Sequence, residues 1–294
     1  SVKQSGRGSL SVFWAVLAAA LYAVNAPVAK LLLEDVEPAM MAGLLYLGAG
    51  AGMLLLGIAR RGTGRGGEEK RLARRDLPYT AGMIALDIAA PVFLMFGLTM
   101  TTSANASLLN NFEIVATSVV AFFIFREKIS RRLGLAVGLI TLSSMLLSFE
   151  DMSSLDFSAG SLLVLAACVC WGFENNCTRM LSGSDPLEIV VVKGLGSGMG
   201  ALLIALLSGE HFPALSDIPL VLLLGFVSYG LSIFFYVYAQ RCLGAARTSA
   251  YYGIAPFIGV LFSFLIFGEL PGGFFPAAFV LMVLGAYLAT EKIK

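Results

Sequence analysis

Charge is what this 294-residue chain has least of. Asp, Glu, Lys and Arg supply 13% of it and hydrophobic residues 58%, against about 25% charged and 45–50% apolar in a soluble domain. That balance excludes a water-soluble globular fold. A single histidine, His211, offers neither a metal cluster nor a Ser/His pair, so no metal or cofactor is expected and hydrolytic chemistry is disfavoured. No GxxxxGK[ST] run occurs, which argues against ATP as a direct energy source. The four cysteines, Cys168, Cys170, Cys177 and Cys242, show no zinc or redox spacing and read as small packing residues.

What the chain does have is apolar segments of about 20 residues, the length a helix needs to cross roughly 30 Å of hydrocarbon. Ten are read: Leu10–Leu33, Pro38–Ala59, Pro78–Leu98, Ser103–Phe125, Leu133–Phe149, Ser158–Leu181, Pro186–Ser208, Ile218–Gln240, Ala246–Phe267 and Phe274–Thr290. The first is kept as a span rather than a cleaved leader, because its apolar run is long and carries Asn25, Pro27 and Lys30 near its far end.

Sorting Lys and Arg by alternate loops exposes an asymmetry that the net charge of +1 conceals. One side holds Lys3, Arg7, Arg60, Arg61, Arg65, Lys70, Arg71, Arg74, Arg75, Arg126, Lys128, Arg131, Arg132, Arg179, Arg241, Arg247, Lys292 and Lys294. That side accounts for 18 of the 20 basic residues, and the other two, Lys30 and Lys193, fall inside spans. The opposite loops carry Glu34, Asp35, Glu37, Glu150, Asp151, Asp156, Glu210, Asp217 and Glu269. Both termini are therefore expected in the cytoplasm and the number of crossings is expected to be even. The Gly-rich basic loop from Arg60 to Arg75 is read as meeting anionic headgroups, not nucleic acid.

The chain also says the same thing twice. Leu47-Gly48-Ala49-Gly50-Ala51-Gly52 returns as Leu195-Gly196-Ser197-Gly198-Met199-Gly200, and Pro38 as Pro186, 148 positions on. Tyr22, Asn25 and Lys30 are answered by Trp171, Glu174 and Arg179, and Ile124-Phe125-Arg126-Glu127 by Ile266-Phe267-Gly268-Glu269. Two halves, residues 1–149 and 150–294, then hold five spans each, and an odd number inverts the second copy. The expected fold is all-α integral membrane: ten transmembrane helices in two inverted five-helix repeats. Inverted repeats are a recurrent plan of secondary transporters, whose sites lie near the midplane where the repeats meet.

Four stretches carry a family resemblance: Leu44-Leu45-Tyr46-Leu47-Gly48-Ala49-Gly50; Ala106-Ser107-Leu108-Leu109-Asn110-Asn111-Phe112-Glu113 with its Phe125-Arg126-Glu127 ending; Cys170-Trp171-Gly172-Phe173-Glu174-Asn175-Asn176-Cys177-Thr178-Arg179; and Gly244-Ala245-Ala246-Arg247-Thr248-Ser249-Ala250-Tyr251-Tyr252-Gly253-Ile254-Ala255-Pro256-Phe257-Ile258-Gly259. Across essentially its whole length the chain resembles the EamA branch of the drug/metabolite transporter superfamily. The resemblance implies a central pocket lined mainly by spans 1, 3, 4, 6, 8 and 9, with spans 5 and 10 peripheral, working by alternating access. The chain departs from the general pattern where Glu113-Ile114 stands opposite Ala255-Pro256 of the ninth span.

Glu113 is the leading candidate, since an ionised side chain near the midplane costs roughly 2.5–3.5 kcal/mol and is seldom left facing lipid. It is read as contacting a substrate amine or carrying a coupling proton; the competing reading is an ion pair with Lys193. Glu174, with Trp171, Asn175 and Asn176, reads as pocket wall, or alternatively as a latch with Arg179 or Arg247. Asp87 aligns with Tyr229 as an opposed polar site, or else serves helix packing. Lys193 is a counter-ion or a carboxylate-binding group. Asn25, Asn110, Asn111, Asn175 and Asn176 suit a zwitterion but are also ordinary interhelical glue, the reading that holds for at least half of them.

Tyr251 and Tyr252 are candidates for the wall where Pro256 loosens the ninth helix. Glu127 and Glu269 read as structural, and the Gly48–Gly52 and Gly196–Gly200 spacings as packing faces. The expected function is secondary active transport, with export favoured, of a small polar metabolite such as an amino acid or organic cation, protons being the candidate coupling ion. Its partners are then a small-molecule substrate and the lipid bilayer, and its place a bacterial inner membrane. A nucleotide-sugar or phosphorylated-metabolite antiporter, and a non-transporting sensor or scaffold, are the alternatives.

Overall fold

The computed structural model describes residues 2–64, 69–148, 158–268 and 271–290. Glu269, Arg65, Glu150, Asp151, Asp156, Lys292, Lys294 and the junction between the two expected halves lie outside the described residues, as do the side chains of Lys3 and Arg7. Among the described residues there is no strand. The helices are α1 (Val2–Tyr22), α2 (Asn25–Leu32), α3 (Pro38–Gly62), α4 (Leu77–Met100), α5 (Ser103–Leu109), α6 (Phe112–Phe123), α7 (Arg131–Ser148), α8 (Ala159–Leu181), α9 (Pro186–Leu207), α10 (Ile218–Gly225), α11 (Ser232–Tyr252), α12 (Ala255–Phe267) and α13 (Phe275–Ala289). Pro38 and Pro186 open α3 and α9, where a missing N–H is no loss.

Six stretches of the described chain are long and apolar enough to cross a membrane: Gly8–Leu32, Pro38–Gly62, Arg74–Met100, Ser103–Phe123, Pro186–Leu207 and Ile218–Phe267. Three helices counted as spans from the sequence are not among them: α7 opens on two arginines, α8 carries Glu174, two asparagines and Arg179, and α13 is apolar but only 15 residues long. Ile218–Phe267 joins two expected spans into one run of 50 residues. Within it Gly244 takes φ 79 and ψ 175, leaving the helical path. The freed N–H groups of Ala245 and Ala246 donate to the Glu127 carboxylate at 3.3 and 3.2 Å. Glu127 thus acts as a cap supplied from another part of the chain, at the acceptor position that a helix N-terminus needs.

Polarity is distributed inside out. Asn25, Asp87, Asn111, Glu174 and Lys193 are buried, while Leu55, Phe123, Leu207 and Leu265 are exposed. That pattern suits a hydrocarbon solvent, where polar groups must be satisfied within the bundle. α3 runs along α9, α4 along α8, α1 along α11 and α7 along α13. The α3–α9 crossing brings backbones together. A Cβ on Gly194 would lie 2.4 Å from the Gly50 nitrogen, and one on Gly198 2.7 Å from the Leu47 nitrogen.

The glycine spacings singled out from the sequence face elsewhere: Gly48 meets Leu222 and Gly52 meets Phe226, while Gly196 and Gly200 meet Ile84 and Ile88 of α4. At one end of the bundle Glu210 accepts the first N–H groups of α3, from Ala39 and Met40. At the other end Arg60 pairs with Asp185 at 3.2 Å and Arg241 with Glu69 at 3.1 Å. A cleft of about 460 Å³ is lined by Arg60, Arg61, Glu69, Arg71, Asp185 and Glu188.

Candidate functional site

Interrupted helices meet the long helices α4, α8 and α9 where the polar residues gather. The fourth span breaks at Asn110–Asn111, where the backbone amides of Asn111 and Glu113 reach back three residues, to the Leu108 and Asn110 carbonyls, at 3.2 and 3.1 Å. Asparagine suits such a turn because its side chain competes for backbone partners. The sequence contrast between Glu113-Ile114 and Ala255-Pro256 points to a break in the ninth span only. In the structure both spans break, and Glu113 occupies the first turn of α6, where the helix dipole favours an acid. α1 and α2 part before Asn25, and a π-helical segment, Phe226–Leu231, separates α10 from α11.

These interruptions surround a central cavity of about 40 Å³, room for a few waters. Its aromatic wall is Tyr22, Tyr46, Trp171, Tyr229, Tyr236 and Tyr252. Tyr22 meets Trp171 and Tyr229 edge to face, at 87° and 89°. The polar wall is Glu113, Glu174, Asn175, Thr178, Lys193 and Ser232. A second cavity of about 10 Å³ lies at the two helix breaks, lined by Asn110, Asn111, Ile114, Ser249, Gly253 and Pro256. Tyr22, Glu113 and Tyr252 face both.

The charges form one compact group and one separate carboxylate. Lys193 Nζ lies 2.6 Å from Glu174 Oε1 and 3.4 Å from Asp87 Oδ2, with all three side chains at most 3% exposed. Thr178, one turn beyond Glu174, donates to the same Glu174 oxygen. The Tyr46 hydroxyl donates to Asp87 Oδ1 at 2.9 Å. Asp87 itself stands behind this wall and is not a lining residue. Glu113 accepts from Asn175 Nδ2 at 2.6 Å, and the same amide donates to the Thr117 hydroxyl of α6 at 3.1 Å.

Several expected pairings are not the ones formed. Lys193 binds Glu174 and Asp87, not Glu113, whose carboxylate accepts from Asn175. Glu174 takes Lys193 instead of Arg179 or Arg247. Arg179 donates to Ser182 at 3.3 Å near the end of α8, and Arg247 is exposed on α11. Asp87 meets Tyr46; Tyr229 receives the Asn25 amide at 2.9 Å. Tyr252 lines both cavities, whereas Tyr251 packs with Ala15, Ala239 and Leu243 in a separate cluster. Asn176 serves as glue, donating to the Thr117 and Gly172 carbonyls.

Tyr46, Tyr236 and Ser232 are lining residues that the sequence reading does not single out. Tyr236 lies seven residues, about two turns, beyond Tyr229, and that spacing is the available signal. No cluster of His, Cys, Asp and Glu able to hold a metal occurs among the described residues.

The comparisons agree with this architecture. The EamA-like transporter family matches residues 9–149 and again 158–290. An uncharacterized transporter of Methanothermobacter thermautotrophicus is 26% identical over 282 residues, covering 89% of this chain and 80% of that protein. The uncharacterized transporter YyaM of Bacillus subtilis is 22% identical over 257 residues, covering 84% and 82%. The uncharacterized inner membrane transporter YedA of Escherichia coli K12 is 25% identical over 279 residues, covering 88% and 86%. A solved crystal structure superposes with a TM-score of 0.73 at 20% identity over 95% of each chain, a likeness of fold. The chain belongs to the EamA-like transporter family, and through it to the drug/metabolite transporter superfamily.

Proposed function

We propose that the protein is a secondary active transporter that exports a small polar metabolite, an amino acid or organic cation, by alternating access with protons coupled. The observation that carries this reading is the meeting of broken helices around a cavity with titratable groups on its wall, the arrangement by which discontinuous helices build transporter sites. In this reading the chain crosses a bacterial inner membrane ten times, as inverted halves of residues 1–149 and 150–294, with both termini cytoplasmic. Support comes from the paired packing of α3 with α9, α7 with α13, and α4–α8 alongside α1–α11, which a twofold relation between halves would generate.

Glu113 takes the substrate amine or the proton, and Glu174 and Asp87 hold Lys193 in the empty state. A phosphorylated-metabolite antiporter is disfavoured because Lys193, the one basic group lining the central cavity among the described residues, is already held by two carboxylates. The test is flux in proteoliposomes carrying a pH gradient. Uptake of an amine or amino acid that depends on the gradient, and is lost in Glu113→Gln, is the expected result. A folded Glu113→Gln protein that transports at the wild-type rate and pH dependence would remove Glu113 from the mechanism.

A further inference from the structure

Among the described residues, the central cavity offers a zwitterion no uncommitted cation with which to hold its carboxylate. Its basic lining residue is Lys193, and that ammonium is committed to Glu174 at 2.6 Å and Asp87 at 3.4 Å. Glu113 is different. It faces both cavities, accepts from the neutral Asn175 amide, and is in no ion pair among the described residues. Around it stand Tyr22, Trp171 and Tyr252, and rings of this kind attract an ammonium through their faces. An incoming carboxylate would meet Glu113 and Glu174 on the same wall, and like charges disfavour each other most where water is scarce.

A second, independent feature lies at the helix breaks. Asn111 is 1% exposed, lines the smaller cavity, and its Nδ2 has no hydrogen-bond partner among the described residues. A buried donor without an acceptor favours a ligand oxygen within its reach, and with Glu113 lining the same cavity a neutral oxygen avoids like-charge repulsion. We infer that the ligand is an organic ammonium bearing a neutral acceptor and no carboxylate, its cationic head at Glu113 among the rings and its oxygen toward Asn111. This inference rests on the cavity being the substrate site, as proposed above, and narrows the substrate class within it.

Matched probes test it. Binding to the intact purified protein is measured calorimetrically for choline against glycine betaine, and for leucinamide against leucine, each pair differing in whether a carboxylate is present. The expected result is at least tenfold tighter binding of choline and leucinamide, with at least tenfold weakening by Glu113→Gln and a smaller loss by Asn111→Ala. Equal or tighter binding of the zwitterions, no binding of any probe, or Glu113→Gln affinities within twofold of wild type would each overturn it. If Glu113→Gln does not fold, the wild-type pairs decide alone. Flux is read separately: discrimination in binding without movement of any probe in proteoliposomes overturns the transport reading and leaves the ligand class standing.

Discussion

Replacing Lys193 with Met keeps much of the stem and removes the ammonium that two buried carboxylates share. At an effective dielectric of about 20, unit charges about 4 Å apart interact by about 4 kcal/mol. Removing one partner of a buried pair typically costs about 3–5 kcal/mol, because the orphaned charge stays behind. Here the ammonium lies 2.6 Å from Glu174 and 3.4 Å from Asp87, so two buried carboxyl groups lose their shared partner at once. The hydrogen bonds from Thr178 and Tyr46 remain and soften the loss. A destabilisation of about 4–5 kcal/mol is therefore expected for Lys193→Met.

Asp87→Asn and Glu174→Gln each leave a one-to-one pair, and each new amide oxygen can still accept from Tyr46 or Thr178; about 1–2 kcal/mol is expected for either. The assay is equilibrium unfolding of purified protein in a mild detergent, with all variants at one detergent concentration. The combined Lys193→Met, Asp87→Asn, Glu174→Gln protein carries no charge in the group and is expected to recover most of the Lys193→Met loss. If Lys193→Met unfolds within about 0.5 kcal/mol of wild type, the electrostatic reasoning is wrong. If the combined variant is as unstable as Lys193→Met alone, the cost lies in packing.

Three further outcomes are expected. Gly194→Ala puts a methyl 2.4 Å from backbone of Gly50 and should cost several kcal/mol, whereas Gly138→Ala, with nothing within 4 Å, should be neutral or slightly stabilising; thermal unfolding of the two compares them directly. Glu127→Ala removes the acceptor for Ala245 and Ala246 and should cost about 1–2 kcal/mol, with Glu127→Gln recovering part of it, read from the same melts. For the proposed orientation, a membrane-impermeant maleimide applied to intact cells should label His211→Cys and spare the exposed Cys242 until the cells are opened; the reverse pattern refutes it.

Depth along a helix is legible in the sequence; rotation about its axis is not. An apolar setting marks Glu113, Glu174, Asn175, Trp171, Tyr229 and Tyr252, and the structure brings these to one cavity. Which carboxylate meets Lys193 depends on the phase of α4, α8 and α9 relative to one another, and composition carries no phase. The same blindness separates Tyr252 from Tyr251, adjacent residues about 100° apart on α11, whose phase follows from the turn at Gly244. It also separates the glycines of the α3–α9 crossing from Gly48 and Gly196. The break at Asn110–Asn111 is readable as turn chemistry, yet the contrast with Pro256 draws attention to the ninth span alone.

Helix continuity divides the carboxylates into two kinds. Asp87, Glu174 and Lys193 stand in the interiors of α4, α8 and α9, whose helical runs continue past those positions, although Pro91 in α4 lacks the amide that would bond the Asp87 carbonyl. Their mutual distances are therefore fixed by long packed elements, and the Tyr46 and Thr178 hydroxyls fasten them further. Glu113 instead begins α6, just past a two-residue break, and its hydrogen bond reaches across to α8. In the proposed transport reading, a change in angle between α5 and α6 would move Glu113 against Asn175 and leave the Lys193 group as it was. A cavity of about 40 Å³ is too small for a metabolite; in the proposed transport reading it has to enlarge to admit one, and the carboxylate on the break is the one positioned to respond.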